Sequence, residues 1–275
     1  MNYIKEKFLN LSDKTIVVTG ANGQIGLSLV KKLAQYNAKI VAVDLKVNNI
    51  DKMKQDNKII DSKILILKSD INKLKEVKKI FINAKKKFNY INSLVCNAGV
   101  AVFENYMQRT EKSLDKVINV NIKGTFYCIR EFINNYENKN GEGTIVNVAS
   151  HYGLISPDPR IYVDTNRASS EIYGASKAAI IQMTKYFAVH AIKKNIRTNS
   201  VSPGGIADTD NALGKKALQK IKQGSGFRRE YSKRCPMNRL AKINEVVDPI
   251  LFLLSSSSSY INGHNLVIDG GYSIW

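Results

Sequence analysis

Short apolar runs punctuate the chain, and between them apolar residues recur at helical spacing. Thr15 to Val18 reads as a buried strand ending at Gly20, and Ile25, Leu29, Leu33 and Tyr36 then mark one face of a helix. Lys39 to Val43 predicts a second strand ending at Asp44, Ile64 to Leu67 a third and Ser93 to Cys96 a fourth. Leu74, Val77, Ile80, Phe81, Ala84 and Phe88 place a helix after the third strand. A long helix after the fourth runs through Leu114, Val117, Ile118, Asn121, Thr125, Ile129 and Phe132. Thr144 to Val148 is a fifth strand, the stretch from about 171 to 194 a helix, and Ile196 to Val201 a sixth strand. Val246 to Leu254 is helical, Ser255 to Ser259 a helix end and turn, and Asn265 to Ile268 a last strand before Asp269-Gly270-Gly271.

These runs are continuous rather than alternating, so the strands must be buried on both faces, as in a parallel sheet covered by helices. Strands alternating with helices predict an α/β fold, a doubly wound parallel sheet of Rossmann type, over a single domain spanning 1–275. Two segments break the rhythm: an insertion at about 152–170 and a lid at about 207–238. Both emerge at the carboxyl ends of strands, where ligands bind in this architecture, and loops of this length are usually functional.

Composition changes this picture little. Of 275 residues, 44% are hydrophobic and 24% charged, which allows a sizeable core. No run approaches the ~20 apolar residues of a membrane span, and the N-terminus lacks a secretory apolar stretch. The three cysteines (Cys96, Cys128, Cys235) have no C-x-x-C spacing. Together these features predict a cytoplasmic protein without disulfides. The net charge of +19 raises the question of nucleic acid or membrane surfaces. The lysines are scattered, with one triplet at Lys85–Lys87 and no accompanying stacking aromatics, so neither partner is expected. The excess remains compatible with an anionic substrate. His151, His190 and His264 share no metal-like spacing, and no metal site is expected.

The first strand-to-helix turn reads Thr19-Gly20-Ala21-Asn22-Gly23-Gln24-Ile25-Gly26. Such glycines let a backbone turn sharply and approach a pyrophosphate at a helix N-terminus. Asp44, ending the second strand, is placed to bind adenosine ribose hydroxyls and to repel a 2′-phosphate, favouring NAD over NADP. Asp70 is either an adenine contact or a helix N-cap. Asn97-Ala98-Gly99 after the fourth strand lets the backbone pass close to a cofactor. Tyr173 and Lys177 lie at i, i+4 on one helix face. An ammonium beside a phenol favours phenolate, making the pair suited to proton exchange in carbonyl/alcohol interconversion. Ser150, ending the fifth strand, is placed to hydrogen-bond the reacting oxygen. Asn121 is a polar side chain on an apolar stripe, either a satisfied core residue or a proton relay toward Lys177.

With these residues in view, the chain resembles the single-domain short-chain dehydrogenase/reductase family along nearly its whole length. The resemblance also rests on Asn195-Ile196-Arg197-Thr198-Asn199, Ser202-Pro203-Gly204-Gly205-Ile206 and the terminal Asp269-Gly270-Gly271. It implies NAD(P)-dependent hydride transfer, with Tyr173 as acid/base, Lys177 on the nicotinamide ribose, Ser150 on substrate and Asn121 holding a relay water. It adds Ile71, Pro203, Gly204, Ile206 and Thr209 to the cofactor-binding set, and implies a homo-oligomer, tetramer or dimer. The turn departs from the family's TGxxxGxG: Gln24 stands where glycine is usual, giving TGxxGxxG.

The stretch between Ser150 and Tyr173 is longer than in most members. Its segment His151 to Tyr162, with the ending Asp269 to Trp275, is similar to oxidoreductases of bacterial nonulosonic-acid and flagellin-glycan pathways. That similarity implies a sugar-derived substrate, with Tyr152, Arg160 and Arg167 near it and lid cations (Lys215, Lys216, Lys220, Lys222, Arg228, Arg229) available for an anionic group. The alternatives are a 3-oxoacyl thioester reductase and a non-catalytic dinucleotide-binding protein.

Overall fold

The computed structural model describes residues 9–138, 141–163, 170–207 and 225–275. Seven parallel strands form one sheet: β1 (Thr15–Thr19), β2 (Lys39–Asp44), β3 (Ile64–Lys68), β4 (Ser93–Cys96), β5 (Gly143–Val148), β6 (Ile196–Pro203) and β7 (Asn265–Ile268). Their spatial order is β3-β2-β1-β4-β5-β6-β7. The order reverses between β1 and β4, so the loops leaving those two strands diverge and open a crevice at their carboxyl ends.

Helices cover both faces: α1 (Gln24–Gln35), α2 (Asn48–Asp56), α3 (Leu74–Phe88), α4 (Glu111–Val117), α5 (Thr125–Asn135), α6 (Glu171–His190), α7 (Ser225–Arg234) and α8 (Ile243–Leu254). One face buries Leu29, Leu33, Val247 and Leu251 against Val18 and Val146. The other buries Phe81, Phe88, Ile129 and Phe132 against Val17, Val43 and Leu94. Residues alternating along one strand therefore serve two cores, which is why the strands read as unbroken apolar runs. Each such side chain contributes about 1.5–3 kcal/mol by leaving water.

The expected strands all form, and Ser256–Ser258 makes the short turn foreseen at the serine run. The long helix expected through Asn121 forms as one continuous run, α4 passing into α5 through a stretch widened to π geometry, Ile118–Gly124. Helices α2 and α7 were not foreseen, because α2 carries only Ile50 and Met53 as apolar positions and α7 begins inside the irregular segment. Among the described residues the three thiols are free and buried, and no His, Cys, Asp and Glu cluster has the makings of a metal site. No described helix is long and apolar enough to cross a membrane.

Candidate functional site

The crevice at the β1/β4 divergence encloses about 350 Å³ and is walled by Gly20, Gly23, Gln24, Ile25, Asp44, Asp70, Ile71, Asn97, Ala98, Gly99 and Ile206. Beneath it Thr19, which opens the glycine-rich turn, ties the two strand ends together. The Thr19 hydroxyl accepts the backbone N–H groups of Asn97 and Ala98, both at 3.2 Å. The Asn97 amide in return donates to the carbonyls of Thr19 (3.1 Å) and Gly20 (2.9 Å). Gly20 has φ +66°, and a side chain there would sit 2.7 Å from the Ala98 Cα. Strand ends β1 and β4 are thus bolted together beneath the crevice, and Asn97 acts chiefly as the bolt.

Above this floor α1 begins at Gly23 with no side-chain cap and no acidic residue in its first turn. Its free N–H groups and dipole face the crevice, an arrangement that favours an anion. The residues present therefore fit a dinucleotide: an uncapped helix end for the pyrophosphate, and the Asp44 carboxylate in the wall at the tip of β2. Asp44 also accepts the backbone N–H of Asn22 (3.0 Å) and of Lys46 (3.2 Å), which fixes its direction.

Several expected cofactor residues take other places. Asn22 does not line the crevice; its side chain accepts the N–H groups of Asn49 (3.0 Å) and Ile50 (3.2 Å), capping α2. Gly26 and Pro203 are likewise absent from the wall. Gly26 packs under Ala21, and Pro203 is buried in β6. Asp70 lines the crevice but does not cap α3, whose N-cap is Lys73 with no side-chain bond; its carboxylate instead accepts the Asn72 N–H at 3.0 Å in the turn before the helix. Thr209 lies outside the described residues.

A second cavity of about 200 Å³ adjoins the first at Ile206, which lines both. Ser150 and Tyr173 stand in its wall, with His151, Tyr152, Phe103, Tyr162, Phe227, Tyr231, Gly204 and Gly205. Tyr173 opens the first turn of α6, where the Ser170 hydroxyl accepts its N–H at 3.1 Å. The Ser176 hydroxyl donates to the Tyr173 carbonyl (2.7 Å) and accepts from the Asn121 amide (2.9 Å). Asn121 closes the chain by holding both backbone groups of Val100, at 2.8 and 3.0 Å. A side chain at Gly174 would meet the Tyr152 carbonyl at 2.8 Å, so glycine lets the turn after Ser150 settle onto α6.

Ser150 and Tyr173 line the same cavity, and Ser150 is near enough to act on the phenol. Lys177 is buried, donates to the Val148 carbonyl at 2.8 Å, and sits 5.6 Å from the centre of the Tyr173 ring. Burial pushes its pKa down to about 8. The Tyr173 phenol is pushed up by burial, and the Ser150 hydroxyl pulls it partly back. That direction is opposite to the one expected from the neighbouring lysine, because removal from water penalises phenolate more than the ammonium favours it. The side chain of Asn121 is spent on Val100 and Ser176, so its observed work is to position the Tyr173 turn. The residue lies in the π turn, a distortion common at functional sites.

The substrate-side residues expected from sequence fare differently. Tyr152 lines the cavity, but Arg160 does not. Arg160 is exposed and forms a fork on Asp158 at 2.9 and 2.9 Å, and Arg234 bonds the same carboxylate at 2.7 Å. The local pairing wins because Asp158 lies two residues away and caps the Pro159–Ile161 turn. Arg229 pairs with Glu230, and Arg228 is not in the cavity wall. Arg167, Lys215, Lys216, Lys220 and Lys222 lie outside the described residues. Sequence reading missed Tyr162, Phe227 and Tyr231, which pack with Ile161, Cys235 and Tyr272 in a separate aromatic cluster over the cavity. Phe227 and Tyr231 share one face of α7 at i, i+4, but Tyr162 comes from the separate turn after Pro159–Ile161, and no spacing in the chain joins the two segments.

The family model described as "Enoyl-(Acyl carrier protein) reductase" matches residues 20–273. The chain is 34% identical over 269 residues to the NAD-dependent glycerol dehydrogenase of Listeria innocua, covering 98% of this chain and 97% of that one. This chain is a member of the short-chain dehydrogenase/reductase family. It is 32% identical over 266 residues to the 3-oxoacyl-[acyl-carrier-protein] reductase FabG of Thermotoga maritima, covering 97% of this chain and 100% of that one. A solved short-chain dehydrogenase from Leptospira borgpetersenii, with bound NAD+, superposes with a TM-score of 0.79 at 32% identity, covering 95% of this chain and 93% of that one. Membership makes this chain an oxidoreductase of hydroxyl and carbonyl groups.

Proposed function

We propose that this short-chain dehydrogenase/reductase interconverts a hydroxyl and a carbonyl on a small sugar or polyol, using NAD in preference to NADP. The observation that carries the reading is the Ser150–Tyr173 pair in the wall of a cavity that meets the dinucleotide-shaped crevice at Ile206, with buried Lys177 behind it. Bound in the crevice, a nicotinamide dinucleotide would supply the hydride acceptor or donor. Ser150 holds the reacting oxygen, and the Tyr173 hydroxyl takes up or gives back its proton. Lys177, with its pKa near 8, remains mostly protonated at neutral pH and favours charge on Tyr173 as the proton moves. NAD preference rests on Asp44, whose carboxylate repels a 2′-phosphate.

Support for a compact polyhydroxyl substrate comes from the wall: rings for the C–H faces and the hydroxyls of Ser150, Tyr152, Tyr162 and Tyr173 for the oxygens. The similarity in residues 151–162 and 269–275 extends the reading to a sugar of surface-glycan assembly. The described wall carries no cation, so an anionic sugar would rely on Arg167 and the lid lysines. A long acyl thioester is the second reading, favoured by the reductase relative. Against it, Tyr162 of the longer segment and Phe227 meet over the cavity, with ring centres 5.4 Å apart.

The protein is further proposed to work as a cytoplasmic homo-oligomer. Exposed Phe126, Tyr186 and Val189 on α5 and α6 present an apolar face for a second copy, and light scattering in solution tests this. The activity test is a turnover screen of polyols, keto sugars, free and phosphorylated sugars and 3-oxoacyl thioesters with both dinucleotides, read at the nicotinamide absorbance. We expect activity on a polyol or sugar that Tyr173→Phe lowers by about 10²–10⁴-fold with dinucleotide binding retained. Full activity in that variant refutes the mechanism, and thioester turnover alone refutes the substrate class.

A further inference from the structure

His151 follows Ser150 directly and lines the same cavity as Tyr173. Its ring is 2% exposed, and its Nδ1 has no hydrogen-bond partner. An orphaned polar atom this deep normally costs about 1–3 kcal/mol, so such groups are kept where something pairs with them in use. The ring is also held in place. It packs on Tyr152 with centres 4.2 Å apart and on Tyr272 at 5.0 Å, and Tyr231 flanks it at 6.2 Å. Burial pushes the imidazole pKa down to about 4, against a weaker opposing pull from Asp269, so the ring is neutral at physiological pH. A neutral imidazole presents one donor and one acceptor, the complement of a hydroxyl.

The rest of the wall narrows the ligand. Among its described residues none is Asp, Glu, Lys or Arg, and Arg160 and Arg234 are already committed to Asp158. A charged group placed here would lose its hydration without compensation. Because His151, Ser150 and Tyr173 line one cavity of about 200 Å³, a small substrate whose reacting oxygen meets Ser150 and Tyr173 is within the span of the His151 ring.

We propose that His151 is a specificity-determining residue that hydrogen-bonds a second hydroxyl, on the carbon next to the reacting one, and so selects uncharged vicinal diols and α-hydroxyketones. The inference rests on the reading of this cavity as the substrate site of an alcohol-oxidising enzyme. Sites built to bond a hydroxyl reject analogues that lack it far more strongly than apolar sites distinguish sizes.

The test compares kcat/KM of the full-length enzyme, with its preferred dinucleotide, for 2,3-butanediol and 2-butanol. Wild type should favour the diol by tenfold or more. His151→Phe keeps a flat ring between Tyr152 and Tyr272 but removes both nitrogens, and should cut that ratio at least tenfold. His151→Gln, which restores a donor and an acceptor, should recover part of it. A variant that merely disturbed packing would lower both substrates together and leave the ratio intact. A wild-type ratio near one, or a ratio unchanged by His151→Phe, overturns the proposal while leaving the enzyme reading standing. Turnover confined to hydroxy acids or sugar phosphates overturns it as well. No turnover of any alcohol or carbonyl compound overturns both.

Discussion

Two glycines three residues apart in the same turn should respond in opposite ways to one methyl group. Gly20 has φ +66°, and an added Cβ would lie 2.7 and 2.8 Å from the Ala98 Cα and N. The left-handed backbone costs an L-residue about 1–2 kcal/mol. Ala98 has little room to retreat, because Thr19 and Asn97 tie its strand end to β1, so the overlap adds about 1–3 kcal/mol of strain. Gly20→Ala should therefore lose about 2–5 kcal/mol, a fall in Tm of roughly 5–15 °C at this chain size. Gly23 sits at φ −82° and ψ 175°, and an added Cβ would meet only the Gly20 carbonyl, at 3.5 Å. Gly23→Ala should leave Tm unchanged or raise it slightly, since alanine restricts the unfolded chain by about 0.4–1 kcal/mol. Its methyl would instead stand in the crevice at the uncapped end of α1 and weaken dinucleotide binding tenfold or more. Thermal unfolding followed by circular dichroism and titration followed by nicotinamide fluorescence separate the two effects. A Gly20→Ala protein with native Tm, or a Gly23→Ala protein with native affinity, would show that the turn does not work by close approach.

Asp44→Ala should raise kcat/KM for NADP relative to NAD by tenfold or more, measured with saturating substrate, and an unchanged ratio removes Asp44 from cofactor choice. Ser176→Ala should lower kcat while dinucleotide affinity holds, because the Tyr173 turn loses its tie to Asn121; equal kcat in variant and wild type would count against that tie. Asp158, held at about pKa 2 mainly by its hydrogen bond to Arg160 and also by Arg234, contributes stability above its unfolded value near 4. That contribution should fade as pH falls from about 4 to about 2. Urea midpoints at pH 5 and pH 3 should therefore converge between wild type and Asp158→Asn, and parallel midpoints would refute the linkage.

What the chain alone disclosed follows from short-range physics. Unbroken apolar runs fix two-sided burial, which fixes a parallel sheet, which places the crevice at the carboxyl ends of its strands. Spacing then put Ser150, Tyr173 and Lys177 near that crevice, because i, i+4 neighbours share a helix face and a strand end has few places to go. Side-chain bonding between distant segments is another matter. Whether Asn22 meets a pyrophosphate or caps α2, whether Asn97 touches cofactor or clamps Gly20, and whether Arg160 faces substrate or Asp158 each depends on competing partners. Those partners meet only after folding. Burial decided the protonation of the site as well: nothing local to Y-x-x-x-K foretells that desolvation lifts the phenol above its ordinary pKa and leaves His151 neutral with a nitrogen to spare. Phe227 and Tyr231 are i, i+4 neighbours on α7, but nothing local brings that helix face to Tyr162, so the aromatic wall around the reacting groups exists only where the two distant segments converge.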